Sequence, residues 1–330
     1  MLERSRLPLT RVVERVGGLQ TQYAPSPYVA LWSRMQGFRR DALTKALEQR
    51  RIVQGTMMRV TIHMASARDY PLFIAGVKRS RQEWWLRTHG KEGEGLHMDD
   101  VASRVRAHLK DGPLRAPRLI ELLREDGFPA VAWSGAGLWV ELVRVPPSGT
   151  WNQRRADLYG LAEHWVGPSK ATEATGLEHL VRRYLGGFGP ATPTEVASWA
   201  GVPVATVRPV IERLPLRRFR SEEGKVLFDV PRAPLPEPDA PAPVRFLPTW
   251  EAALLIHARR TQILPERYRE TVFSIATPHS LSTFLVDGAV AGSWRYDSGR
   301  IRIEPFEPLP RGVRREIEDE SKGLATLHEG

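Results

Sequence analysis

A helix followed by a β-hairpin recurs three times in this 330-residue chain, and a proline-rich break then leads into alternating apolar runs. These observations predict an α+β fold: three tandem winged-helix modules followed by a small C-terminal antiparallel β-barrel. The expected divisions are 1–88 for the first module, 89–170 for the second with its wing and loop, and 171–230 for the third. A linker over 231–243 and a barrel with a closing helix over 244–330 complete the chain.

In the first module one helix is expected over Pro27 to Met35, and another from Asp41, a residue suited to an N-cap. Leu43, Ala46 and Leu47 give that second helix its apolar stripe. A β-rich stretch from Ile52 to Met64 follows, with a turn expected at Gln54-Gly55. The second module has a helix over Asp99 to Leu109, then PRLIELLREDG from Pro117, with proline in its first turn and Gly127 at its end. The run LWVELVRV, ending at Val145, is its expected strand. The third module has a helix over Thr192 to Trp199, the helix VATVRPVIERL, and two strands turned at Glu223-Gly224. In a winged helix one helix enters the major groove and the hairpin reaches the neighbouring backbone. The same order also describes small α+β packing units with no role on DNA.

The segment PRAPLPEPDAPAP, Pro231 to Pro243, holds six prolines in thirteen residues and reads as a semi-rigid linker. After FLPTWEAALLIHARR come TFLVDGAVAGSWRY and RIRIEPFEPL, whose Asp-Gly and Gly turns between alternating apolar runs predict an antiparallel sheet or small barrel. A closing helix is expected from about Arg311.

The formal charge is +10, and all but seven of the 48 cationic residues are Arg. That balance fits a polyanionic partner, although a high-GC genome writes the same composition. No cysteine is present, which excludes disulfides, thiolate nucleophiles and cysteine-ligated metals. His89, His97 and His108 lack the i, i+4 spacing of a helical metal pair, so neither a metal nor a cofactor is expected. The start MLERSRLPLTRVVERV lacks the apolar centre of a signal peptide, and no apolar run nears the roughly 20 residues that span a bilayer. A cytoplasmic monomer without a membrane partner is expected.

Gln20 and Gln22, in GLQTQYAPSP, are the candidate chemical centre. With eight Gln in the chain, chance supplies such a pair about 0.2 times, so its surroundings decide its meaning. The run YLGGFGPATPTEVASWAG, Tyr184 to Gly201, resembles the third module of the AlkZ/YcaQ family of winged-helix DNA glycosylases. GGLQTQ with PYVALWSR, MRVTIHM, RVPPSGTW with Arg154 and Arg155, and LVDGAVAGSWR resemble the same family in the same order, over about residues 13 to 304. The resemblance implies three tandem winged helices and a C-terminal barrel around a DNA channel, and hydrolysis of the bond joining an alkylated purine to deoxyribose. It places the catalytic pair on Gln20 and Gln22, as in the Gln-x-Gln branch, which includes enzymes that unhook bulky adducts and interstrand crosslinks and protect producers of DNA-alkylating antibiotics. Trp250-Glu251 departs from the family's common aromatic-Asp pair, and the lead-in before Val12 is short.

A cationic N7- or N3-alkylated purine is already a good leaving group, so an amide suffices to place water and steady an oxocarbenium-like sugar. Strand alternation puts Gln20 and Gln22 on one face, with Thr21 turned inward. No lysine lies near the pair, Lys45 being the closest in sequence, so no lyase step is expected. Candidate DNA contacts are His63, Ser148, Thr150, Trp151, Arg154, Arg155, Arg217, Arg218 and Arg295. For Trp151 a core position, and for His63 a hydrogen-bonded wing position, stand beside that reading. The expected partner is duplex DNA carrying alkylated purines. A non-catalytic winged-helix DNA-binding protein or transcriptional regulator, and a regulator whose barrel senses a ligand, are the competing readings.

Overall fold

The structure, a computed structural model, describes residues 3–237, 239–255, 261–274 and 280–330. The chain begins with α1 (Leu9–Arg15), β1 (Leu19–Gln20), α2 (Ser26–Arg34), α3 (Arg40–Glu48), β2 (Ile52–Thr56), β3 (Ile62–Ser66) and the long α4 (Tyr70–His89). It continues through α5 (Met98–His108), β4 (Leu114–Arg115), α6 (Ala116–Glu125), α7 (Val131–Trp139), β5 (Leu142–Arg144), β6 (Leu158–Leu161) and α8 (Ala162–Val166). Next come α9 (Glu173–Phe188), α10 (Pro193–Ala200), α11 (Val204–Arg213), β7 (Arg217–Arg220) and β8 (Val226–Asp229). The C-terminal part holds β9 (Arg245–Leu247), α12 (Ala252–Leu255), α13 (Arg269–Val272), β10 (Thr283–Val286), β11 (Ala289–Asp297), β12 (Arg300–Pro305) and α14 (Val313–Glu329). The fold is a mixed α+β one, and the described residues of the proline-rich segment hold neither helix nor strand.

The hairpins of the first two stretches join in one six-stranded sheet of order β1-β3-β2-β5-β6-β4, while β7 and β8 pair separately. Local chemistry sets several of its element ends. Thr192 and Glu195 form a reciprocal capping box at the start of α10, with Pro193 in its first turn. Gly224 closes the β7 to β8 hairpin with φ 79°. Asp41 lies inside the first turn of α3, where it meets Lys45 at 3.0 Å, so it does not cap that helix. Gln54-Gly55 lies within β2 and not at a turn; a Cβ on Gly55 would sit 2.7 Å from the Tyr70 ring, so close approach explains the glycine. The chain reverses instead over residues 57–61. The run LWVELVRV is split: α7 continues through Trp139 and only Leu142–Arg144 is strand, because a short apolar run fits a buried helix end as well as a strand.

The C-terminal strands form an antiparallel sheet of order β12-β11-β10-β9. Among the described residues β12 and β9 are both edges, so the sheet is open where the sequence led to a barrel. Four strands are too few to enclose an interior, and α14 fills one face with Ile317, Leu324 and Leu327. The segment from Phe246 keeps β9 and α12, and its end at 256–260 lies outside the described residues.

Two apolar cores interlock the chain. One joins Val53, Ala65 and Phe73 to Tyr184, Trp199 and Ile211, and so fastens β2, β3 and α4 to α9, α10 and α11. The other joins Val13 and Leu31 to Trp151, Phe246, Phe284 and Leu324, and so fastens the N-terminal helices to the C-terminal sheet and α14. Where α4 crosses α9, Gly76 and Gly176 bring the two backbones together. An ion-pair network closes the same junction: Arg183 meets Asp69 at 2.8 Å and Glu14 at 3.4 Å, and His179 meets Asp69 at 2.9 Å. No helix among the described residues is long and apolar enough to cross a membrane.

Candidate active site

The glutamine pair lies where these cores meet. Gly17 and Gly18, with φ 67° and 88°, turn the chain from α1 into β1. A Cβ on Gly17 would sit 2.9 Å from the Trp199 ring, so the glycine lets β1 pass against α10. Gln20 then pairs with His63 across β1 and β3 and is 8% exposed. Its Oε1 accepts from Arg59 Nη2 at 2.7 Å. Gln22 is exposed, and its Oε1 accepts from the Ile62 backbone N–H at 3.0 Å. Both partners can only donate, which fixes each amide with its oxygen inward. Neither Nε2 donates to a described residue. Between the two, Thr21 is buried and accepts from Gln54 Nε2 at 3.4 Å.

Arg59 is the residue that sequence reasoning missed. It sits at φ 53° beside Val60 at φ 57°, and this left-handed turn aims its side chain back at β1. Nη1 donates to the Trp199 carbonyl, and Nη2 lies 3.4 Å from His63 Nε2. Burial lowers the Arg59 guanidinium to about 10. His63 is pushed down to about 3, by burial first and by the Arg59 charge second, against a contact with the Thr61 carbonyl that favours protonation. Its Nδ1 lies 3.0 Å from that carbonyl, which suits an Nδ1–H tautomer whose Nε2 faces Arg59. His63 is therefore neutral and enclosed, and it walls the glutamine site.

This burial sets a pH dependence. The folded value near 3 lies below the 6.5 of an ordinary histidine. The unfolded chain therefore binds the proton more readily between those values, and stability, complete above about pH 6.5, is lost as pH falls toward 3. Denaturant titrations across this window are expected to show a loss of a few kcal/mol. His63→Asn is expected to show a shallower fall.

The loop after β5 packs inward. Ser148 Oγ accepts from the Asp157 and Leu158 N–H groups at 2.8 and 3.1 Å and donates to the Arg155 carbonyl at 2.7 Å. Thr150 Oγ1 donates to the Pro147 carbonyl at 2.7 Å. Trp151, 8% exposed, packs edge-on against Tyr28 and His328 and under the Arg40 guanidinium. Ser148 and Thr150 thus spend their hydroxyls on the loop's own backbone, and Trp151 lies in the core. A Cβ on Gly149 would collide with Gln54 Oε1, so this loop backs the strand that holds Thr21.

The remaining candidates divide. Arg154 Nη1 donates to Tyr23 Oη at 3.1 Å, which brings a cation to the exposed ring next to Gln22. Arg155 is exposed and meets Asp157 at 2.8 Å. Arg217 and Arg218 lie on β7 over Phe219 and Phe228, and Arg295 lies on β11 with Glu304 at 2.7 Å. These three belong to sheets other than that of the pair. Among the described residues, no group of three or more His, Cys, Asp or Glu side chains is placed to hold a metal ion.

A family model described as DNA glycosylase AlkZ-like matches residues 13–327. None of the curated proteins compared matches the chain. Streptomyces sahachiroi DNA glycosylase AlkZ is similar in structure, with a TM-score of 0.82 and 19% identity over 99% of this chain and 93% of that one. The structural likeness shows a common fold, and the family model spans nearly the whole sequence including both glutamines. The chain therefore belongs to the AlkZ-like family of DNA glycosylases.

Proposed function

We propose that this protein is a monofunctional glycosylase that hydrolyses the N-glycosidic bond of N7- or N3-alkylated purines in duplex DNA. Gln20 and Gln22 are its catalytic residues. The observation that carries this reading is the anchoring of the pair, with Gln20 Oε1 2.7 Å from Arg59 and Gln22 Oε1 3.0 Å from the Ile62 N–H. Fixed amides need no reorganisation when charge moves at the sugar. Each oxygen keeps a second lone pair for a proton of the attacking water, and each Nε2 is available to the substrate. Water oxygen bonds to C1′, the bond from C1′ to the purine nitrogen breaks, and its electron pair neutralises the cationic base. The proton lost from water passes to solvent. His63, held near 3, supplies no proton at neutral pH, which agrees with a substrate that needs none.

The three helix-hairpin stretches act in this reading as winged helices along the DNA, with the open C-terminal sheet beside them. Arg154 at Tyr23 steadies the strand beside Gln22. Bulky adducts and crosslinks belong to the substrate range, in cytoplasmic repair or self-resistance by a monomer. Base release from a duplex carrying N7-methylguanine, followed by alkali cleavage, tests the proposal. The double variant Gln20→Ala with Gln22→Ala is expected to be slower by at least about 10²-fold. An unchanged rate removes the pair from catalysis, and absence of release in the parent protein leaves a non-catalytic DNA binder.

A further inference from the structure

Among the described residues, two buried guanidinium groups and one half-buried one face carboxylates: Arg34 meets Glu251 at 2.7 Å, Arg245 lies 3.8 Å from Glu320, and half-buried Arg183 meets Asp69 at 2.8 Å. Around the 57–61 turn that pattern breaks. Arg81 and Arg144 are buried and Arg59 is half-buried, yet none of them makes an ion pair among the described residues. Arg81 donates to the Thr56 carbonyl at 2.5 Å, and its buried Nε has no partner. Arg144 donates to Thr56 Oγ1 and the Ala156 carbonyl at 3.2 Å and to the Tyr159 hydroxyl at 3.3 Å. Arg59 serves Gln20 and the Trp199 carbonyl. All three end on neutral oxygens. Glu141 favours the charge on Arg81 from a distance, but burial outweighs it and holds both Arg59 and Arg81 down to about 10.

Arg59 and Arg81 open onto one cleft of about 360 Å³ between α4 and the start of α11. Ser80, Arg87 and Trp84 complete its α4 wall, with Arg87 exposed and Trp84 40% exposed. Its carboxylate, Glu83, is engaged by Arg79 at 3.0 Å. Two consecutive left-handed residues, one of them the β-branched Val60, hold Arg59 between this cleft and Gln20.

We infer that this cleft binds one phosphodiester of the DNA strand beside the target nucleotide, with Arg59 joining that phosphate to Gln20. A phosphate supplies the missing negative charge beside Arg81 and acceptor oxygens for Arg87. The place of the phosphate next to the target rests on the catalytic reading of Gln20; the phosphate site itself does not.

Ser80→Glu sets a carboxylate on the cleft wall and gives the test. Its thermal stability is expected to rise, because the buried cations gain a partner. Its affinity for an undamaged duplex is expected to fall about tenfold, and the slope of log affinity against log salt to shrink by about 0.9, the share of one phosphate. Arg87→Gln is expected to shrink the slope without the gain in stability. Unchanged slopes in both variants overturn the proposal. Inorganic phosphate separates the sources: if it stabilises the parent protein at constant ionic strength while the duplex slopes stay unchanged, the cleft takes free phosphate and the backbone assignment falls. Since binding is read on undamaged DNA, failure of the glutamine variant to lose base release leaves this test standing.

Discussion

Gly176→Ala is expected to lower the stability of the chain by about 3 kcal/mol, read as a shift in the urea midpoint. At the crossing of α4 and α9 the new Cβ would overlap the Gly76 nitrogen and sit 2.6 Å from the Leu72 carbonyl oxygen and 2.7 Å from the Gly76 Cα. All three are backbone atoms, so no side chain can rotate away, and the helices must separate. Separation loosens the core that carries Tyr184 and Trp199, and with it the carbonyl that receives Arg59. The same helix supplies a control. Gly186 has no atom within 4 Å of an added Cβ, so Gly186→Ala is expected to be neutral or to stabilise by up to about 1 kcal/mol. Equal effects at both positions would show that helix propensity, and not the crossing, governs the result.

Glu251→Ala is expected to cost about 3 to 5 kcal/mol, because it strands a buried guanidinium. Arg34 and Glu251 have side chains 7% and 3% exposed, with Oε1 shared between Arg34 Nη2 at 2.7 Å and the Ala253 N–H at 3.1 Å. The pair bolts α2 to the start of α12, so the loss falls on the joint between the N-terminal helices and the C-terminal sheet. Arg34→Met combined with Glu251→Leu is expected to cost less than the sum of the single changes, since removing both charges leaves neither unpaired. Additive losses would show that the two residues act separately. Glutamate at this position, where the family resemblance led to aspartate, spans the gap to α2 with one more methylene.

The parts of the fold legible in the sequence are those with local causes. Thr192-Pro193-Thr194-Glu195 announces a helix start because its capping box is made within four residues. Asp287-Gly288, at φ 48° and 77°, announces the β10 to β11 hairpin in the same way. Gly55, Gly76 and Gly176 have causes that lie elsewhere in the chain, in Tyr70 or in one another, so nothing local marks their purpose. Family resemblance singled out Gln20 and Gln22 as candidates, while Arg59 stood inside the quoted MRVTIHM run without a sign that its backbone turns left-handed. The hydroxyls of Ser148 and Thr150 were legible as donors, but whether a loop serves its own backbone or a phosphate depends on which way it folds.

The six-stranded sheet also bears on how the protein is made. Gln54 of β2 pairs with Arg144 of β5, which leaves the ribosome 90 residues later. At roughly 5 to 20 residues per second, the edge of β2 stays without its neighbour for roughly 5 to 20 s. An open edge of that kind invites pairing with another nascent chain. Gly55 at that edge, with little side-chain surface to offer a stray strand, and the burial of β2 and β3 under α4 leave backbone hydrogen bonds as the main exposed hazard. Synthesis slowed between the first and second helix-hairpin stretches would lengthen that hazard, so yield of intact protein depends on the tempo of translation there.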